Sequence, residues 1–220
     1  MTARGTDERA TRPAPVRRYP PEQRRRLIVD AAREVIASRG LAATRMRDVA
    51  SAADVSLGTL TYHFAGVDDL LASVIQTEDL EFLQPVIDRA LAAETGRAGL
   101  RCLVEGLLNQ EPRTREHWVV WMDFWTLANR DSRYGRWQDG AYATWRKLLT
   151  ELVARGEADG SLTVTNAELA VTQFMVLTDG VASQAFLIGR EPAVGTQSPV
   201  ELMWVLVAEM FGFSPARVRA

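Results

Sequence analysis

The sequence has few of the side chains on which redox and metal chemistry depend. Its 220 residues include one cysteine, Cys102, and two histidines, His63 and His117. A single cysteine excludes an internal disulfide, and ligands this scattered do not predict a zinc site or any other metal site. We therefore expect a protein that has no metal and no cofactor.

Long apolar runs are also missing. No stretch of about 18 residues lacks a charge, as a membrane-spanning helix would require, and the N-terminus has no apolar signal core. We therefore expect a cytoplasmic protein without a membrane partner. The sequence contains no nucleophile elbow, phosphate-binding loop or metal-ligand cluster, so it does not predict an enzyme.

Positive charge is concentrated near the N-terminus. Residues 1–64 contain 12 basic and 7 acidic side chains, a balance of +5, whereas residues 65–220 contain 14 and 21, a balance of −7. A basic N-terminal part on an acidic body predicts that only the N-terminal part meets a polyanion such as DNA.

Three helices are predicted in this basic part, of which the second and third are short. The first begins at Pro20-Pro21-Glu22, where proline and an acid favour a helix start, and ends at Gly40, a typical C-terminal cap. Thr44 is expected to cap the second helix. After a tight turn at Asp54-Val55, Ser56 is expected to cap the third. Three helices of these lengths, the last two joined by a very short turn, form a helix-turn-helix.

The remainder of the chain is predicted to be helical throughout. Apolar residues recur at helical spacing, and no segment alternates as a β-strand would. The predicted helices span residues 67–84, 85–94, 98–109, 114–129, 133–158, 166–188 and 198–211. The predicted fold class is therefore all-α, with an N-terminal three-helix helix-turn-helix domain, a larger helical domain, and about nine to ten helices in total.

One segment of the basic part resembles the sequence signature of a known protein family. The run Thr44-Arg-Met-Arg-Asp-Val-Ala-Ser-Ala-Ala-Asp-Val-Ser-Leu-Gly-Thr-Leu-Thr-Tyr-His-Phe64 resembles the DNA-binding signature of the TetR family of transcriptional regulators. The resemblance covers roughly residues 22–75. It implies a dimer that binds a near-palindromic double-stranded DNA operator and responds to a small-molecule effector.

The chemistry of the third helix fits DNA recognition. A recognition helix is short and presents small or hydrogen-bonding side chains to the major groove, and Gly58 lets the backbone approach DNA closely. Thr44, at a helix N-terminus, is expected to bind a phosphate, with flanking arginines as phosphate or base contacts. The predicted DNA-binding residues are Thr44, Arg45, Arg47, Ser56, Leu57, Gly58, Thr59, Thr61, Tyr62 and His63.

Three positions depart from the family signature. Asp54 stands where the family has a turn glycine, and aspartate tolerates the left-handed conformation better than most residues. Thr61 replaces an aromatic residue and Val67 replaces a lysine, and each change removes a common phosphate contact. Non-specific affinity is therefore expected to depend on the arginines that flank Thr44 and on a disordered basic arm, residues 1–19.

Aromatic residues are concentrated between positions 114 and 146. Trp118, Trp121 and Trp125 share one helical face; core packing explains any one of them, but five tryptophans in this segment exceed what packing requires and suggest a small-molecule pocket. The runs Trp121-Met-Asp-Phe-Trp-Thr-Leu-Ala, Tyr142-x-x-Trp145 and Leu177-Thr-Asp-Gly-Val181 resemble the C-terminal domain of BetI-type regulators within the family.

This second resemblance implies a pocket among the helices at 98–109, 114–129, 133–158 and 166–188. An aromatic box with an acid suits a quaternary ammonium such as choline, and Asp179 or Asp123 would be the polar anchor. Alternatively, Asp179 caps a helix or pairs with an arginine. The predicted ligand-binding residues are Trp118, Trp121, Met122, Trp125, Trp145, Phe174, Met175 and Asp179.

The last two long helices are apolar on more than one face and therefore need a second packing partner. We expect a homodimer formed by these helices as a two-fold four-helix interface; a fully internal helix pair is the alternative. The apolar residues concerned are Leu169, Val171, Phe174, Val181, Ala185, Met203, Leu206, Val207 and Met210.

These observations predict the organisation and the function of the chain. The expected domains are a basic arm at 1–19, a DNA-binding domain at 20–66, and an effector-binding and dimerisation domain at 67–220. The expected function is that of a sequence-specific transcriptional regulator, a repressor released from its operator by a small-molecule effector. The alternative is a constitutive architectural DNA-binding protein whose helical body only dimerises.

Overall fold

The computed structural model describes residues 19–186, apart from the side chain at position 133, and residues 198–214. Over these ranges the chain forms ten α-helices and no strand, which confirms the all-α prediction. The helices are α1 (Pro21–Arg39), α2 (Met46–Ala52), α3 (Leu57–His63), α4 (Val67–Glu78), α5 (Gln84–Ala92), α6 (Gly96–Leu108), α7 (Pro112–Ala128), α8 (Ser132–Ala158), α9 (Ala167–Phe186) and α10 (Pro199–Met210). Apart from Tyr19, the predicted basic arm lies outside the described residues.

The first three helices pack as the predicted helix-turn-helix. Ile28 of α1, Val49 of α2 and Leu60 of α3 are fully buried and belong to one hydrophobic core. Gly40 ends α1 with a φ of 78°, and Asp54 occupies the turn before α3 with a φ of 51°. Both are left-handed conformations, so the structure confirms that the turn survives with aspartate in place of glycine.

The predicted role of Thr44 as a helix cap is wrong. Residues Leu41–Ala43 form a 3₁₀ turn, and Arg45 is the N-cap of α2. Thr44 is buried, its hydroxyl donates to the carbonyl of Gly40 at 2.9 Å, and its N–H donates to that of Leu41 at 3.0 Å. The 3₁₀ turn therefore uses both hydrogen-bond donors that the sequence had suggested for a phosphate.

The helices at 67–84 and 85–94 were predicted to be separated by a break, but the backbone remains helical between α4 and α5. A π-helical turn, Asp79–Leu83, joins them. Pro85 lies in the first turn of α5, where its missing N–H costs little. Such π-turns frequently occur at functional sites, and this one adjoins the ion cluster described below.

Helix α7 joins the two halves of the molecule. It packs on α8 and α9 in the larger domain, and on α1 and the 3₁₀ turn of the helix-turn-helix. Arg33 of α1 forms an ion pair with Glu116 of α7, and the carboxylate of Asp123 accepts the N–H of Leu41 at 2.7 Å. Within the described residues, no helix is both long and apolar enough to cross a membrane.

The crossing of α6 and α8 generates a stability prediction. A Cβ atom on Gly96 would lie 2.3 Å from the amide nitrogen of Gly156 and 2.4 Å from the carbonyl oxygen of Leu152. Because backbone cannot move aside as a flexible side chain can, we expect Gly96→Ala to lower the free energy of unfolding by about 1–3 kcal/mol or more.

The matched control is Gly140→Ala. Gly140 lies inside α8, and a methyl group on its Cα would meet no neighbouring atom within 4 Å, so alanine should raise stability by about 0.5–1 kcal/mol. Thermal and denaturant unfolding of both variants measure the difference. Equal stability of the two variants would contradict the close helix crossing.

Candidate DNA-binding surface and ligand cavity

Helix α3 is held in place by its N-terminal cap and by two buried side chains. Ser56 Oγ accepts the N–H of Thr59 at 3.0 Å and shares a hydrogen bond with the Thr59 hydroxyl at 2.8 Å, which confirms the predicted cap. Leu60 and Phe64 are buried, and the guanidinium of Arg25 lies 4.9 Å from the centre of the Phe64 ring. The opposite side of this short helix is left open to solvent.

The exposed side of α3 contains most of the residues that the sequence predicted to contact DNA. Tyr62 is 83% exposed and Leu57 50% exposed, while Thr59 and His63 are half-buried. The Thr61 hydroxyl donates back to the helix carbonyls of Leu57 and Gly58. Ser56, Gly58 and Thr61 are exposed, as are Arg45 and Arg47 at the start of α2. Thr44 is the one predicted contact that is buried.

A cavity lies within the larger domain, among α6, α7, α8 and α9. Measured as space open to the centre of a water molecule, its volume is about 50 Å³, enough for a few waters or a small ligand group. Its wall is predominantly aromatic and aliphatic. The lining residues are Leu83, Leu107, His117, Trp118, Trp121, Tyr142, Trp145, Leu149, Phe174, Met175, Thr178 and Asp179.

Six of the eight predicted ligand-binding residues line this cavity: Trp118, Trp121, Trp145, Phe174, Met175 and Asp179. Met122 and Trp125 are half-buried and lie outside the wall. Trp125 shares the helical face of Trp118 but is seven residues further on, about 10 Å along the axis. Its indole Nε1 is enclosed and has no hydrogen-bond partner among the described residues.

The acid in the cavity wall is Asp179. Its Oδ2 accepts a hydrogen bond from the Tyr142 hydroxyl at 2.8 Å. Burial raises the pKa of Asp179 to about 6, with the Tyr142 hydrogen bond opposing the shift. Tyr142 was not among the predicted ligand-binding residues, although its position three residues before Trp145 places both on one face of α8. Asp123, the alternative anchor, instead binds the 3₁₀ turn.

A buried ion cluster connects the cavity to α4. Glu78, the last residue of α4, is 1% exposed and accepts two hydrogen bonds from Arg113, at 2.8 and 3.0 Å. Its other contact is His117 Nδ1 at 2.8 Å, and Arg33 Nε lies 3.9 Å away. Because His117 also lines the cavity, one side chain borders both the cavity and the end of α4.

The protonation states in the cluster follow from opposing effects. Burial alone would raise the pKa of Glu78, but hydrogen bonds from His117 and Arg113 outweigh it and lower that pKa. Burial lowers the pKa of His117 despite the neighbouring carboxylate. At neutral pH the cluster therefore contains a carboxylate, the guanidinium groups of Arg113 and Arg33, and a neutral imidazole. No sequence pattern indicated this cluster, because Glu78 looks like an ordinary helical acid.

A helix-turn-helix joined to a helical domain with an internal cavity defines a class of DNA-binding regulators. Two family models match the chain: residues 28–74 match "Bacterial regulatory proteins, tetR family" and residues 96–198 match "BetI-type transcriptional repressor, C-terminal". The chain belongs to the TetR family of transcriptional regulators, with a BetI-type C-terminal domain. Members of this family regulate transcription and are not enzymes.

Individual relatives agree with this assignment. The chain is 28% identical over 170 residues to the HTH-type transcriptional regulator PksA of Bacillus subtilis, covering 76% of this chain and 80% of that protein. It is 27% identical over 170 residues to the HTH-type transcriptional regulator BetI of Burkholderia thailandensis, covering 76% and 84%.

Solved structures share the fold. A putative transcriptional regulator from Saccharomonospora viridis, in complex with choline, superimposes with a TM-score of 0.75 at 24% identity, covering 86% of this chain and 95% of that chain. A TetR transcription regulator from Haloarcula marismortui gives a TM-score of 0.74 at 17% identity, covering 87% and 97%.

The raised pKa of Asp179 generates a pH prediction. Because the folded protein holds this proton up to about pH 6, whereas an unfolded aspartate loses it near pH 3.9, Asp179 lowers stability as pH rises through that interval. At pH 7.5 we expect Asp179→Asn to be as stable as the parent protein or more stable, by up to about 3 kcal/mol.

The stability difference between the two proteins should shrink as pH falls from 7.5 to 5, because the parent carboxyl then becomes neutral. Denaturant unfolding at both pH values measures it, and the comparison cancels the titration of every other group. If the stability difference between Asp179→Asn and the parent protein grew as the pH fell, Asp179 would not be a buried carboxylate that destabilises the fold.

Proposed function

We propose that the protein is a homodimeric repressor that binds a near-palindromic operator through α3 and is released by a small organic cation bound in the cavity. The observation that carries this proposal is the placement of His117, which lines the cavity and hydrogen-bonds Glu78 at the end of α4. A cavity that only stabilised the fold would not need to contact the helix that follows the DNA-binding module.

The DNA-binding part of the proposal rests on exposure and charge. The exposed residues of α3 carry hydroxyl, glycine and aromatic groups suited to base edges and phosphates, with Arg45 and Arg47 exposed nearby in sequence. We propose residues 20–66 as the DNA-binding domain and 67–220 as the effector-binding and dimerisation domain, and we propose that the protein acts in the cytoplasm, where its DNA partner lies.

The dimer part rests on apolar surface that the protomer leaves uncovered. Of the residues expected at the interface, Val171, Phe174, Val181, Ala185, Met203 and Val207 are buried within the protomer. Leu169 remains 52% exposed, and Leu206 and Met210 are half-buried. Val176, seven residues after Leu169 on the same face of α9, is 64% exposed. A second copy of α9 and α10 would cover this surface.

The effector class rests on the chemistry of the wall. Trp118, Trp121 and Trp145 present aromatic rings, and Asp179 supplies a carboxylate. Aromatic faces together with an acid attract cations such as quaternary ammonium groups. These cations are weakly hydrated, so their transfer from water costs little. The Saccharomonospora viridis neighbour was solved with choline, and choline is therefore the first effector to test.

Release requires that the effector prefer the form that does not bind DNA. We propose that occupancy of the cavity shifts α7, and with it the Arg113–Glu78–His117 contacts that hold the end of α4. Since α4 begins only four residues after α3 ends, its movement changes the separation of the two recognition helices in the dimer. Reciprocally, operator binding must weaken effector binding by the same factor.

The first experiment is to select the genomic fragments that the protein binds, which yields the operator, and then to titrate choline against the complex. We expect steep salt dependence, with a slope of roughly −0.9 on log–log axes for each phosphate neutralised, and loss of binding as choline is added. Salt-insensitive binding would contradict the electrostatic account. An unchanged tryptophan fluorescence with every cation tested would favour an architectural protein.

Tyr62→Ala tests the DNA-binding surface. Because Tyr62 is 83% exposed, its removal leaves the fold intact, and we expect operator affinity to fall by about 1–3 kcal/mol. Choline affinity should stay within twofold of the parent value. Fluorescence anisotropy with labelled operator, together with tryptophan fluorescence for choline, measures both quantities.

Asp179→Asn is the matched variant on the effector side. It removes a charge without changing the size of the side chain, so choline affinity should fall at least roughly tenfold, as expected for a lost charge contact, with operator affinity unchanged. If either variant lost both activities while remaining folded, the division into two functional modules would be wrong.

A further inference from the structure

We propose that His117 binds the effector directly, with its Nε2 accepting a hydrogen bond from the ligand. This inference deepens the proposed function and rests on it. It narrows the effector from any small cation to a cation that also carries a hydrogen-bond donor, such as a hydroxyl group.

Only one ring nitrogen of His117 has a hydrogen-bond partner within the described residues. His117 Nδ1 is bonded to Glu78, and no described residue forms a hydrogen bond with Nε2. The enclosed side-chain atoms that lack a partner in the described chain are Trp125 Nε1 and Arg155 Nε, and Nε2 is not among them, which implies that it contacts open space. The His117 side chain is only 5% exposed and lines the cavity. We therefore infer that Nε2, on the ring edge away from Glu78, faces the cavity.

The hydrogen-bonding role of Nε2 is set by the partner of the other ring nitrogen. Glu78 is a carboxylate and can only accept, so His117 Nδ1 must carry the hydrogen between them. Burial holds the pKa of His117 below its ordinary value, which leaves the imidazole neutral. In a neutral imidazole with a hydrogen on Nδ1, Nε2 has a lone pair and is an acceptor. It therefore selects a donor from the ligand.

The His117 ring is held in this orientation by its neighbours. Phe82 stacks on one side of the His117 ring, at 4.0 Å between centroids, and Trp121 lies nearly parallel to it at 6.1 Å. Trp118 meets the ring edge-on at 5.7 Å. Rotation would also break the hydrogen bond to buried Glu78. The acceptor is thus fixed before any ligand arrives, which lowers the entropy lost on binding.

Three other hydrogen-bonding groups of the wall already have partners. The Trp118 indole donates to the carbonyl of Leu107 at 2.7 Å, the Thr178 hydroxyl donates to that of Phe174 at 2.8 Å, and the Tyr142 hydroxyl donates to Asp179. Without a ligand, a water in the cavity can donate to Nε2. A ligand that carries a donor replaces this hydrogen bond, whereas a ligand that displaces the water without supplying a donor leaves a buried acceptor unpaired, which is costly.

The test compares three cations of the same charge: choline, ethyltrimethylammonium, which lacks the hydroxyl, and the O-methyl ether of choline, which has the oxygen without its hydrogen. Tryptophan fluorescence of the full chain gives their dissociation constants. We expect choline to bind roughly 5- to 100-fold more tightly than either analogue. A penalty for the bulkier ether alone would indicate a steric effect and overturn the proposal.

Two substitutions of His117 distinguish the roles of its two ring nitrogens. In His117→Asn, the amide N–H₂ can replace Nδ1 as the donor to Glu78, but nothing replaces Nε2. In His117→Gln, the amide oxygen can replace Nε2 as the acceptor in the cavity. In His117→Asn we expect the dissociation constants of choline and its two analogues to lie within twofold of one another. In His117→Gln we expect choline still to bind more tightly than either analogue.

A full preference for choline in folded His117→Asn would overturn the role of Nε2. Equal binding of all three cations by the parent protein would overturn it too, while leaving a cation-responsive repressor intact. If the parent protein bound none of the three, the proposed effector class would fail, and this inference would fail with it.

Discussion

The buried carboxylate of Glu78 is the charge on which the contacts between the end of α4 and α7 depend. A buried carboxylate is tolerated only when its lone pairs are satisfied and its charge is balanced. Here Arg113 and His117 of α7 both hydrogen-bond the carboxylate, and Arg113 supplies the balancing charge. Glu78 thereby fixes the end of α4 against α7. The same ion cluster lies beside the π-helical turn, so the backbone next to it already departs from regular helix.

Helix α7 is the element through which the two halves of the protein are connected. One side contributes His117, Trp118 and Trp121 to the cavity. Glu116 pairs with Arg33, and Asp123 accepts the N–H of Leu41, so the same helix also binds the helix-turn-helix. A ligand that displaces α7 by a small amount must disturb contacts to α1, to the 3₁₀ turn and to α4 together. Packed interfaces of this kind tend to change between discrete arrangements.

Sequence reasoning succeeded where the signal was local. The cap at Ser56, the left-handed turn at Asp54 and the end of α1 at Gly40 each depend on a few adjacent residues. Periodicity also placed the tryptophans of α7 on an inward face. The failures at Thr44 and at the α4–α5 junction came from a 3₁₀ turn and a π-turn, which alter helical register without a distinctive residue pattern.

The sequence did not predict contacts between residues that are far apart along the chain. The partners of Glu78 are 35 and 39 positions away, and no helical repeat relates them. Met122 and Trp125 are side chains of the kind expected in a cavity wall, but Met122 is turned about 100° around α7 from Trp121, and Trp125 lies about one turn further along the helix. The cavity consists of four helices that close on one another, so its limits depend on packing that periodicity within one helix does not encode.

The coupling between effector and operator, measured in the parent protein and in Glu78→Gln, tests the account most directly. Anisotropy of labelled operator is recorded with and without saturating choline, in variants whose folding is verified by circular dichroism. The account predicts at least roughly tenfold weaker operator binding with choline in the parent protein, a coupling within the usual allosteric range, and less than threefold in Glu78→Gln. Undiminished coupling in Glu78→Gln would contradict it.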